Sequence, residues 1–243
     1  MTTVFVHGVP ETPAVWDRLI TALAPDDAVS LALPGFGTPR PEGFDATQET
    51  YAAWMAGELA AYEQVDLVTH DWGALLAVRV LADRPANVRS WVSDLGDLGA
   101  DFAWHDMAKV WQTPGDGEAF MEGFVGGPLA DRAGLLAAVG VPAHDSEAMA
   151  AAIDTTMGQA ILDLYRSATD IGNRWGPGID QIAVRSLLVE SMQDPFRNPE
   201  RVVRLAGRID ATVVELPDAG HFWMLDSTDA AATAIADFWS TLP

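Results

Sequence analysis

The chain has 243 residues, enough for one domain with a sizeable core or for a domain carrying an insertion. Its 49% hydrophobic and 20% charged residues exclude a disordered polymer, and 14 Lys+Arg against 35 Asp+Glu leave a net charge of −21. So acidic a surface argues against nucleic-acid and anionic-membrane partners, and the absence of cysteine excludes disulfides, thiolate catalysis and Cys-ligated metal.

The first half alternates short apolar runs with helical patterns. Thr3–Val6 reads as a strand, Glu11–Leu23 as a helix or turn-helix, and Ala28–Leu33 as a second strand ended by Pro34-Gly35-Phe36-Gly37. Thr47–Tyr62 has helical spacing, Val65–Thr69 is a strand, Gly73–Ala82 a helix, and Val88–Val92 another strand. This alternation predicts right-handed βαβ units and a parallel sheet. From 95 to 180 the rhythm is lost in a helical pattern broken by Pro114-Gly115, Gly126-Gly127-Pro128, Gly140-Val141-Pro142 and Gly176-Pro177-Gly178. Order returns with a strand at Val184–Glu190, a helix at Glu200–Leu205, a strand at Ala211–Leu216 and a closing amphipathic helix at Thr228–Trp239. The expected organisation is a core of residues 1–94 and 181–243 with a helical cap, 95–180, over the sheet's C-terminal edge. No basic leader precedes His7 and no stretch approaches the ~20 apolar residues of a membrane span, so a soluble cytoplasmic protein is expected.

The chemistry concentrates in Val65-Asp66-Leu67-Val68-Thr69-His70-Asp71-Trp72-Gly73. A buried strand runs into a helix across a turn with no room for a loop, which demands small residues around the apex. Gly73 meets that demand; Thr69 is bulkier than the turn prefers. The apex, Asp71, is expected in a strained conformation at a helix N-terminus, its side chain projecting beyond the sheet. Alone, an Asp at such a junction is equally a helix N-cap.

Three further segments extend the pattern: His7-Gly8-Val9-Pro10 after the first strand, Glu190-Ser191-Met192-Gln193-Asp194-Pro195 after the fifth, and Asp218-Ala219-Gly220-His221 after the last. Together they resemble the α/β-hydrolase superfamily, in its branch with an aspartate nucleophile, which contains epoxide hydrolases and haloalkane dehalogenases. The resemblance implies a mostly parallel sheet of about six strands, because His7 already closes the first. It implies Asp71 as nucleophile, His221 as base and Asp194 as the acid that orients it, with the Val9 and Trp72 backbone N–H groups forming an oxyanion hole. Asp94, at the end of the strand after the elbow helix, is the alternative acid, since some relatives take theirs from that strand.

In the epoxide hydrolases cap tyrosines protonate the opening ring, typically two of them. Tyr51 and Tyr62 lie on the helix before the elbow, which leaves Tyr165 in the cap, with His105 as the candidate second donor. In the dehalogenases N–H donors hold the halide; Trp72 suits this too, and Trp104, Trp111 or Trp175 are candidates for the second donor. A fluoroacetate-type site is disfavoured because Trp72 stands where that group has Arg, and a serine esterase because the apex is not Ser. The expected activity is hydrolysis of a neutral hydrophobic small molecule through a covalent Asp71 ester, epoxide opening first and dehalogenation second. A hydrolase-like receptor that binds without turnover is the alternative of another class. No cofactor or metal is expected, and Leu33-Pro34-Gly35-Phe36-Gly37 is not a phosphate-binding loop.

Overall fold

The computed structural model describes residues 1–243. Six strands form one sheet: β1 (Thr2–Val6), β2 (Ala28–Leu31), β3 (Val65–Thr69), β4 (Val88–Ser93), β5 (Arg185–Ser191) and β6 (Thr212–Leu216). Their order is β2-β1-β3-β4-β5-β6, and every neighbouring pair is parallel. β1 and β3 are buried at every position, as in strands covered on both faces, and the one charge among them, Asp66, is paired with Arg89 at 2.7 Å.

The flanking helices are α1 (Asp17–Leu23), α2 (Gln48–Leu59) and α3 (Trp72–Ala82) in the first half. α10 (Pro199–Ile209), α11 (Trp223–Asp226) and α12 (Thr228–Ser240) complete the set in the second. α1 packs against α12 and α2 against α3, with the sheet between the two pairs. Between β4 and β5 the chain forms α4 (Asp106–Gln112), α5 (Asp116–Gly126), α6 (Leu129–Ala138), α7 (Ala143–Ala152), α8 (Thr155–Ser167) and α9 (Ile171–Trp175). α4, α5 and α8 pack together, while α6 and α7 form a hairpin. Ion pairs bind this block to the sheet side: Arg18 to Asp145 of α7 (2.5 Å) and Arg40 to Asp163 of α8 (2.7 Å).

Two elements differ from the sequence reading. The segment expected as a helix or turn-helix from Glu11 is a turn followed by a helix and starts two residues later, with a 3-10 turn at Pro13–Trp16 before α1. Glu11 turns inward instead, and its carboxylate accepts the Gly8 N–H at 3.0 Å; Pro13, which has no N–H to lose, then begins the helical segment. α10 is longer than expected: Asn198 caps its first turn by accepting from the Arg201 N–H, and Val202, Leu205 and Ile209 continue the buried stripe past Leu205.

β1 connects outward to β2, and the chain then crosses back to place β3 on the other side of β1. The loops after β1 and β3 therefore diverge at the C-terminal edge and leave a crevice between them. His7, Asp71, Asp94, Asp194 and His221 all follow strands at that edge.

Candidate active site

Asp71 occupies the turn between β3 and α3 with φ 47° and ψ −116°, a conformation an L-residue holds only when its surroundings impose it. Glycines provide the room. A Cβ on Gly73 would lie 2.3 Å from the Val6 carbonyl oxygen, and one on Gly8 would lie 2.5 Å from Asp71 Cβ. Thr69, too bulky on paper, is fully buried because its hydroxyl finds partners between the strands. It donates to the Val92 carbonyl (3.0 Å) and accepts from the Trp91 indole (2.9 Å).

The Val9 N–H donates to Asp71 Oδ1 at 2.9 Å. Trp72 opens α3, so its own N–H has no carbonyl one turn earlier in the helix to receive it. One carboxylate oxygen is thus anchored and the other is left to the cavity. Opposite, His221 Nδ1 lies 3.0 Å from Asp194 Oδ2, while the other Asp194 oxygen accepts the Phe196 N–H (2.7 Å). The loop carrying Asp194 is closed at its base by Arg197, which pairs with the buried Glu190 at 2.8 Å. With Nδ1 turned to Asp194, Nε2 is the nitrogen available on His221. Asp71, Asp194 and His221 line one cavity of about 840 Å³.

Electrostatics set the protonation states. Burial raises the Asp71 carboxyl above the usual range, while His221 and then His70 pull it back toward ionisation. Burial opposes charge on His221 too, but the Asp194 hydrogen bond together with the Asp194 and Asp71 charges overcomes it, and the imidazole titrates above its ordinary value.

The roof comes from the helical block. Tyr165 of α8 is buried, edge-on to Trp72 with ring centres 5.2 Å apart. Burial first and the Asp71 charge second hold its hydroxyl well above the usual phenol range, so it is a proton donor throughout neutral pH. The Trp72 indole N–H acts in the opposite direction without making a well-formed hydrogen bond. His105 lines the cavity 6.3 Å from the Tyr165 ring; its Nδ1 accepts the Ala108 N–H, so Nε2 carries the proton. Burial, then His221, keeps it neutral. Trp111 lines the cavity with an unpartnered indole N–H. Trp104 stacks on Trp72 at 5.5 Å, but its N–H is committed to the Ala168 carbonyl, so it offers the cavity only its ring. Trp175 lies outside the cavity, bound to Glu49 (3.0 Å).

The sequence profile of the alpha/beta hydrolase family matches residues 3–235. The chain belongs to the alpha/beta hydrolase family. No curated protein matches it. Among solved structures it is similar to a loop variant of the haloalkane dehalogenase DbeA from Bradyrhizobium elkanii, with 20% identity, TM-score 0.75, and 98% of this chain and 88% of that one covered. It is also similar to a Pseudomonas aeruginosa protein described as an epoxide hydrolase, with 17% identity, TM-score 0.78, and coverages of 99% and 88%. A thioesterase domain from the curacin biosynthetic pathway follows at 18% identity, TM-score 0.70, covering 97% of this chain and 90% of its own.

In this alpha/beta hydrolase Asp94 is not on His221. Its Oδ1 accepts the Asp71 N–H (3.2 Å), and its Oδ2 accepts the Trp223 indole N–H (2.8 Å) and contacts His70 Nδ1. The other face of His70 meets Glu11, with Oε1 2.9 Å from Nε2. Neither the role of Glu11 nor the pairing of His70 was visible in the sequence. A carboxylate directly after the apolar His7-Gly8-Val9-Pro10 turn was the available signal. His7, in contrast, is a structural residue: neutral through burial, with Nε2 accepting the Leu33 N–H.

Proposed function

We propose that this hydrolase opens an epoxide to a diol through a covalent ester on Asp71. The observation that carries the reading is Tyr165, a buried phenol kept protonated at the cavity wall within the field of the Asp71 carboxylate. In the first step the free Asp71 oxygen attacks an epoxide carbon, the C–O bond breaks, and the leaving oxygen takes the Tyr165 proton. His105 stands beside it as a second donor through Nε2. In the second step His221, held by Asp194, takes a proton from water as the water oxygen attacks Asp71 Cγ. Negative charge develops on the anchored Oδ1, where the Val9 and Trp72 N–H groups receive it. Collapse expels the diol oxygen, which takes the His221 proton, and the regenerated Asp71 acid returns its own proton to Tyr165.

Dehalogenation is the second reading, because the indole N–H groups of Trp72 and Trp111 are both buried without a partner, as a halide site requires. One epoxide and one matched bromoalkane, assayed for diol and for halide release, separate the two. Single-turnover hydrolysis in ¹⁸O water tests the covalent route. Heavy oxygen is expected in Asp71 and absent from the first-turnover product; heavy product excludes the ester. Affinity for a hydrophobic ligand that survives Asp71→Asn, with no turnover of either substrate by the unaltered protein, supports the receptor reading instead.

A further inference from the structure

His70 is fully buried next to the nucleophile, and each of its nitrogens faces a carboxylate: Nδ1 contacts Asp94 Oδ2, and Nε2 lies 2.9 Å from Glu11 Oε1. Neither Nε2 nor that Glu11 oxygen makes a well-aligned hydrogen bond to any group, so the 2.9 Å approach between them is a charge contact. A neutral imidazole presents one donor and one acceptor, so it would turn a lone pair toward one of two buried anions. Only the doubly protonated ring satisfies both. Both carboxylates are themselves held for this purpose. Glu11 Oε2 takes the Gly8 N–H (3.0 Å), and Asp94 takes the Asp71 N–H and the Trp223 indole. The charge is close to the reacting groups, with the His70 and His221 ring centres 4.7 Å apart.

We propose that His70 is a permanent imidazolium, clamped between Glu11 and Asp94, whose charge keeps Asp71 ionised and His221 free to act as a neutral base. It is a positioning residue: it reaches substrate only through Asp71 and His221. The inference rests on reading those two as nucleophile and base. The charged and titratable groups facing His70 are Glu11, Asp94, Asp71, His221 and, more remotely, His7; His221 also faces Asp194 and His105. Among these, the His70 charge lowers the proton affinity of both Asp71 and His221. Asp71 would otherwise be driven toward the inert acid by burial, and His221 toward the protonated form by Asp194. One cation opposes both shifts.

Histidine-selective ¹⁵N labelling of the whole protein reads the ring directly, with His70 assigned by its absence in His70→Gln. Protons on both His70 nitrogens are expected to persist as the pH is raised past about 6.5, where a free imidazole loses one. A ring that loses one there overturns the proposal, whether or not any substrate is turned over. In His70→Gln the ¹³C-detected midpoint of Asp71 and the ¹⁵N-detected midpoint of His221 are both expected to move up by about one pH unit, and both limbs of the activity profile with them. A folded variant with unmoved midpoints overturns it as well. Failure to trap an Asp71 ester refutes the nucleophile reading alone, because the ring and carboxyl readouts need no turnover.

Discussion

Replacing Asp71 by Asn keeps the shape of the side chain and removes its nucleophilic charge. Turnover in Asp71→Asn is expected to fall by about 10⁴-fold or more, measured as diol or halide release. In the proposed mechanism His221→Gln leaves the first step intact and blocks the second, so mass spectrometry of the intact protein after substrate should show a stable adduct on Asp71. Asp194 and Asp94 separate by the kind of damage their loss does. Asp194→Asn is expected to slow ester hydrolysis by about 10²–10⁴-fold with little change in melting temperature, because only the His221 orientation is lost. Asp94→Asn is expected to lower the melting temperature, since it removes one of two anions around a buried cation and weakens the hold on the elbow N–H. The sign of the pH effects follows from the shifts. Asp94 titrates below its ordinary value, burial being outweighed by His70, so its stabilisation is complete above about pH 4 and is lost as pH falls through the depressed value. His221 titrates above its ordinary value, so single-turnover ester hydrolysis should rise with pH and level off only above about 6.5.

At the scale of the element, the elbow between β3 and α3 is a contact between two backbones. A methyl group on Gly73 would lie 2.3 Å from the Val6 carbonyl oxygen and 2.8 Å from that of His7, and neither can move without breaking β1. Gly73→Ala is expected to cost about 1–3 kcal/mol, seen as a melting temperature lower by roughly 2–10 °C. Gly8→Ala strikes the Asp71 side chain instead, so activity should be lost with a smaller change in melting. Gly73 and the apex Asp were legible because the turn is local: a strand running straight into a helix has few solutions. The fit of Thr69 was not legible, because the partners that accommodate it, Val92 and Trp91, belong to the next strand. For the same reason the inward turn of Glu11 was not legible. Helical spacing from Glu11 takes no account of a carboxylate drawn inward by Gly8 and His70.

The whole molecule carries its −21 charge with 14 basic side chains, most of them already in ion pairs such as Arg18–Asp145 and Arg208–Asp97. The unpaired carboxylates repel one another across the surface. Raising NaCl to about 0.5 M should therefore increase the melting temperature at neutral pH, with the gain shrinking as the pH is lowered toward 5, where the excess charge begins to be neutralised. No helix is long and apolar enough to cross a membrane. In the sequence, residues 95 to 180 read as a helical pattern without rhythm. How that stretch closes the cavity was not legible there, because that depends on contacts such as Arg40–Asp163 between segments far apart in the chain.

The order of strands and helices and the glycine-bounded turn at Asp71 were determined by the sequence, because each depends on residues within a few positions of one another. Which acid meets His221 was decided only by the tertiary structure, since side chains from four strand ends converge there and a one-residue change of register alters every partner. Folding also gave Asp94 to His70 rather than to His221. It committed the Trp104 N–H to a backbone carbonyl and left those of Trp72 and Trp111 free. Local chemistry names the groups a site can contain, and packing at a distance sets their charge and their neighbours.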